Sequence, residues 1–276
     1  MEHHVTELTQ FVNHYLGGLA LALLNLLHIK PSHPETPIPE STVMALLVFV
    51  VCVVLALILR ARLSVERPGA MQQVAELLLT NPMDFGIRDL LKENVGQDAD
   101  KYVPFVGSIS IFILFSNLLG LIPRLAAPTG VVVVPLGCAA LTFLYFNFQG
   151  LRHHGVFKYL GTFAGSPHKL GDWILAILLF PVEIISTCAR ILSLTVRLWA
   201  NMFASDLIYG IFLSLLAGGA VFGFSKSPVL GAILAIFPAT IPVAFLGLHI
   251  FVSVVQAYVF TVLPAVYLGL ATADEH

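Results

Sequence analysis

The apolar positions of this chain fall in blocks too long for the core of a water-soluble domain. Stretches at roughly 42–59, 104–122 and 131–149 each approach the ~20 residues needed to cross ~30 Å of hydrocarbon as a helix. Two longer blocks follow, Trp173 to Phe224 and Pro228 to Ala271, separated only by Ser225-Lys226-Ser227. As one helix the first would measure ~78 Å at 1.5 Å per residue. It can be cut into two spans only near Arg190 to Asn201, and no Gly or Pro occurs between Pro181 and Gly210 to make a tight turn. The pattern therefore predicts one long helix, tilted well beyond the ~20° average of membrane helices. It pairs with a second long helix in which Pro238 and Pro242 are expected kinks.

Before the first span, Leu8, Phe11, Val12, Tyr15, Leu16, Leu19 and Leu23 recur at helical spacing. The more apolar part, Leu16 to Ile29, is too short to span, so a helix lying at the membrane interface is expected. Glu2 and Glu7, with no Lys or Arg before Lys30, make the wrong n-region for a cleaved secretory signal. The run Pro31 to Pro39 cannot continue a helix and reads as a linker. Residues 1–40 are thus a peripheral segment and 41–271 a single transmembrane domain, with 272–276 as a tail. Asn117 to Pro123 leads into a short turn joining the second and third spans as a hairpin.

Polar segments set the orientation. Residues 60–102, with one short amphipathic piece near Gln72 to Leu79, hold Arg60, Arg62, Arg67, Arg88, Lys92 and Lys101. Residues 150–171 add Arg152, Lys158 and Lys169, whereas Lys30, Arg124 and Lys226 are isolated on the other side. By the positive-inside rule the two loops are cytoplasmic. Five crossings then put the N-terminus outside and the C-terminus in the cytoplasm.

Composition agrees with the pattern: 58% of residues are hydrophobic and only 11% are charged, with a mean hydropathy of +0.90. The fold class is all-α, a polytopic membrane protein with about five membrane-crossing helices. A net charge of -2 offers no basic face for nucleic acid. Cys52, Cys138 and Cys188 lie singly in apolar segments, without the spacing of a metal or disulfide site.

The chemistry is concentrated on the last two helices. Glu183, Arg190 and Arg197 are seven apart and form one nearly straight helical stripe, with Asn201 one turn further on. Asp206 is nine residues past Arg197, about half a rotation away. On the second helix His249 and Gln256 share a face, with Ser253 between them. Each has an ordinary reading taken alone. An intramembrane Asn or Gln can be packing glue, a single His can be a satisfied core residue, and Arg190 can snorkel or pair with Glu183. Two acids, two arginines, a histidine and two amides on one hairpin instead describe an ion path. Arg197 is the costliest of them, since a mid-bilayer guanidinium is unfavourable by about 2.5–3.5 kcal/mol on insertion scales and cannot shed its charge.

Pro181-Val182-Glu183-Ile184-Ile185-Ser186, Ser193 through Met202, Gln256-Ala257-Tyr258-Val259-Phe260 and Tyr267-Leu268 resemble the pattern of subunit a of F-type ATP synthases. The resemblance extends to Pro68-Gly69, Gln73, Glu76 and Asn117 through Pro123, covering about residues 60–271. The chain departs from that pattern with Ile191 where the family often has Pro, Ala200 and Ser205 where it has Gly, and Asp206 where it has Glu.

The resemblance implies a non-catalytic stator subunit, in a bacterial plasma membrane, that couples proton flow to rotation of a ring of c subunits. The implied partners are that ring, peripheral-stalk b subunits, the rest of the complex and the lipid bilayer. Arg197 would face the ring. Asp206, Asn201, His249 and Gln256 would serve an outer half-channel, and Glu183, Ser186 and Arg190 a cytoplasmic one. No cofactor or metal is expected, since neither a GxxxxGK[ST] run nor HExxH spacing occurs. His3, His4, His14, His153 and His154 lie in flanking or loop segments. A secondary ion transporter with a midplane charge cluster is the alternative, but such proteins usually show internal repeats, and the two halves here do not match.

Overall fold

The computed structural model describes residues 6–26, 36–81, 85–122, 125–163 and 172–272. Among them are nine α-helices and no strand: α1 (Glu7–Leu26), α2 (Glu40–Ala61), α3 (Ala70–Leu79), α4 (Ile87–Val95), α5 (Ala99–Leu119), α6 (Val133–His154), α7 (Val156–Phe163), α8 (Asp172–Lys226) and α9 (Pro228–Thr272). Five candidate spans are long and apolar enough to cross a membrane, and they fall in α2, α4–α5, α6, α8 and α9. The chain is therefore a polytopic all-α membrane protein. The 55-residue α8 runs without a break from Asp172 to Lys226, so the stretch with no Gly or Pro is a single helix. The 45-residue α9 is likewise assigned as helix through Pro238 and Pro242. Lys30, Arg124, Lys169, His3, His4, most of the Pro31–Pro39 linker and the last four residues lie outside the described residues.

Two helices occupy segments expected to be loops. α4 buries Ile87, Leu90 and Leu91, and Asp89 in its first turn accepts from the Asn81 backbone N–H at 2.8 Å. Gly86 is required at its start, because a Cβ there would lie 2.6 Å from the Leu79 carbonyl oxygen. Gly96, at φ 77°, ends it in the left-handed conformation that glycine tolerates. α7 begins directly after Gly155, also at φ 77°, and its Tyr159 ring lies on the backbone of Gly150, where no side chain intervenes. Isolated helices of this length are marginal, so each depends on the face it buries.

The chain divides into two compact units. One comprises Met1–Val54, Leu114–Val134 and Trp199–Val254. In it Asn13 of α1 donates to the carbonyls of Thr9 and Ile38 at 2.9 and 3.1 Å, and its Oδ1 accepts from the Ile38 N–H at 2.9 Å. This clamp fixes α1 to the chain entering α2, while Phe11, Tyr15 and Leu19 remain exposed. The other unit comprises Leu55–Ile113, Pro135–Leu198 and Val255–His276. Its core joins Leu91 of α4, Val106 of α5, Phe146 of α6, Tyr159 of α7 and Leu268 of α9. Within that unit Ser110 and Thr261 bring α5 and α9 together through a buried hydroxyl pair at 2.7 Å.

Candidate functional site

The first unit holds Asp206 and His249 in one cavity. Its volume is about 60 Å³, and its lining includes Gly120, Ser205, Asp206, Tyr209 and His249. That is room for a few water molecules, each needing ~10–15 Å³. His249 is buried at 6% exposure and is held at both ring nitrogens. Nδ1 is 2.7 Å from Ser205 Oγ, and Nε2 is 3.1 Å from the Asn117 carbonyl oxygen. That carbonyl belongs to the last turn of α5, where it also accepts from the Gly120 N–H at 3.3 Å. The Asn117 side chain is completely buried, and its Oδ1 accepts from Thr129 Oγ at 2.7 Å. Asp206 is exposed in the isolated chain and comes close to Gly130, where a Cβ would lie 3.2 Å from its Oδ2. Asn201, also exposed, is not among the lining residues of this cavity.

The second unit holds the stripe of Glu183, Arg190 and Arg197. Arg190 Nη2 donates to Glu183 Oε1 at 3.2 Å, one pair of turns back on α8. The guanidinium lies 5.1 Å from the centroid of the Tyr267 ring on α9, within cation–π range. These three, with Phe146, Tyr159 and Thr187, line a cavity of about 250 Å³. Ser186 is half-buried and outside that lining. The Tyr159 hydroxyl donates to Asn147 Oδ1 at 3.0 Å. Burial pushes its phenol up from the ordinary value, opposed in part by the Arg190 charge, so it keeps its proton.

Arg197 lies at the end of the second unit's share of α8. It is exposed, as is Val196 beside it, whereas Leu194 and Leu198 are buried at 3% and 0%. Gln256 is buried in the same unit, with its Oε1 unpartnered.

Set against known proteins, residues 41–269 match the model of the family described as ATP synthase A chain. The chain belongs to this family. ATP synthase subunit a of Koribacter versatilis (strain Ellin345) is 39% identical over 273 residues, 99% of either chain. Subunit a of Solibacter usitatus (strain Ellin6076) is 39% identical over 265 residues, 96% of this chain and 99% of that one. Subunit a of Nitratidesulfovibrio vulgaris (strain DP4) is 37% identical over 222 residues, about four fifths of each. Within this ATP synthase A chain member, sequence spacing on single helices singled out Asp206, His249, Glu183 and Arg190. It overlooked Ser205, Asn117 and Tyr267, whose roles depend on contacts between distant segments. The one sequence signal for Ser205 was a hydroxyl where the family pattern suggests Gly.

Proposed function

We propose that this chain is the proton-channel stator subunit of a rotary ATP synthase, in which Arg197 faces a ring of c subunits. Its relatives are named as subunits of an ATP synthase, and five candidate spans support a multi-pass inner-membrane protein. Arg197 carries the assignment: it is an exposed, permanently charged side chain on an unbroken helix whose length far exceeds one bilayer crossing. A helix of that length must incline strongly if it stays within hydrocarbon, and it then needs a large surface to lie against. A ring of c subunits, each with a carboxyl group at mid-membrane, supplies both the surface and the counter-charge.

A ring carboxyl arriving beside Arg197 is favoured in its ionised form and gives up its proton. At an effective dielectric near 20 the contact attraction is on the order of 4 kcal/mol. Asp206 and His249, with Asn201 and Gln256, serve the outer half-channel; Glu183, Ser186 and Arg190 serve the cytoplasmic one. Arg197 separates them, so protons cross only by riding the rotor, driven by ~2.3 kcal/mol per charge for each 100 mV. The loops at 60–102 and 150–171 are cytoplasmic, the N-terminus is outside and peripheral-stalk b subunits are further partners. The chain itself performs no chemistry on ATP.

Replacing Arg197 with Ala or Lys in the assembled complex tests this. ATP synthesis driven by a proton gradient in membrane vesicles should vanish while the c ring still co-purifies. Coupled synthesis at the parent rate in either variant would overturn the assignment.

A further inference from the structure

We infer that, among the described residues, the hydroxyl of Ser205 is the only proton door to His249, and that protons enter and leave the imidazole through Nδ1 alone. The inference rests on the outer half-channel proposed above. A peptide carbonyl has no proton to give, so the 3.1 Å contact between Nε2 and the Asn117 oxygen requires Nε2–H to donate. The neutral ring then has Nδ1 unprotonated, and the 2.7 Å contact there has Ser205 Oγ–H donating to Nδ1. The Asn117 oxygen already accepts from the Gly120 N–H, so both of its lone pairs are engaged and Nε2 faces a closed end.

The buried ring lines the same few-water cavity as Ser205 and Asp206, but both of its nitrogens are taken up by these two contacts, so the Ser205 hydroxyl stands between Nδ1 and the cavity. A proton therefore moves in one balanced step. Ser205 Oγ passes its hydrogen to Nδ1 as it takes one from protonated Asp206 or from a hydronium ion in the cavity. The hydroxyl is regenerated, Asp206 is left as carboxylate or the hydronium as water, and His249 becomes an imidazolium with both nitrogens protonated. The reverse step returns the proton to the cavity. Nothing is oxidised or reduced, and no second reagent is needed.

Proton flux through the intact ATP synthase in vesicles tests the door, together with ¹⁵N spectra of histidine-labelled complex. Ser205→Ala should assemble normally yet conduct several-fold more slowly, and Ser205→Thr, which keeps a hydroxyl, should recover most of the flux. The spectra should show neutral His249 with its proton on Nε2. Parent-like flux in Ser205→Ala, a Thr variant as impaired as the Ala variant, or a neutral ring protonated on Nδ1 would each overturn the inference. Asp206→Asn and His249→Ala separate it from the channel itself. If both block flux while Ser205→Ala does not, only the door is lost; if neither affects flux, the outer half-channel falls and the door with it.

Discussion

The guanidinium of Arg190 rests over the ring of Tyr267, 5.1 Å from its centroid. The same cation is 3.2 Å from Glu183, so an aromatic face on α9 holds it against an acid on α8. A cation–π contact of this kind contributes about 0.5–1 kcal/mol at partly exposed sites. Tyr267→Leu should therefore free Arg190 and change the rate of ATP-driven acidification in inverted vesicles, by up to roughly fivefold for ~1 kcal/mol. Tyr267→Phe should leave that rate near the parent value. Equal defects in the two variants would show that the hydroxyl, rather than the ring face, matters.

Gly130 is a sensitive neighbour of Asp206. A Cβ there would sit 3.2 Å from the carboxylate Oδ2, close enough to push the acid by a few tenths of an ångström. Gly130→Ala should assemble with its partners yet lower passive proton conductance, and Gly130→Val should lower it further. Conductance unchanged in both would mean that the position of Asp206 is not critical.

Gly150 has a purely structural counterpart. Any side chain at this position would enter the Tyr159 ring, and overpacking of this type costs about 1–3 kcal/mol. Gly150→Ala should detach α7, seen as faster amide hydrogen exchange across Val156–Phe163. Exchange in α2 should not change.

The Ser110–Thr261 pair should matter less than its burial suggests. Each hydroxyl also has a carbonyl of its own helix, Val106 at 2.8 Å for Ser110 and Ala257 at 3.0 Å for Thr261. Neither is orphaned when its partner is removed. A double-mutant cycle of Ser110→Ala and Thr261→Val, read by unfolding in bicelles, should give a coupling of about 0.6 kcal/mol, the average for polar pairs in membrane helices.

The long helices were legible because their evidence is local. Apolar length and the absence of Gly or Pro between Pro181 and Gly210 suffice to exclude a turn, and α8 is continuous. The Glu183–Arg190 pairing followed from a seven-residue spacing on one helix. α4 and α7 are not legible in the sequence because short helices are stabilised by what they bury, such as Leu91 and Tyr159, and the partners are far away in sequence. The surroundings of His249 were hidden for the same reason: Ser205 is 44 residues away and Asn117 132. No spacing rule on a single element connects them.

The oxygen of Asn117 ends a membrane helix and orients an imidazole at once, since the Gly120 N–H and the His249 ring meet on the same atom. With His249 in the outer half-channel proposed above, loop architecture and conductance are not independent variables in this protein. A substitution in the turn after α5, chosen only to shorten or stiffen the connection, would rotate that carbonyl and shift the ring it holds. Its phenotype would be a complex with normal abundance and an altered leak. The cheapest route for natural variation to retune proton delivery thus runs through an uncharged bend, with every acidic and basic side chain left in place.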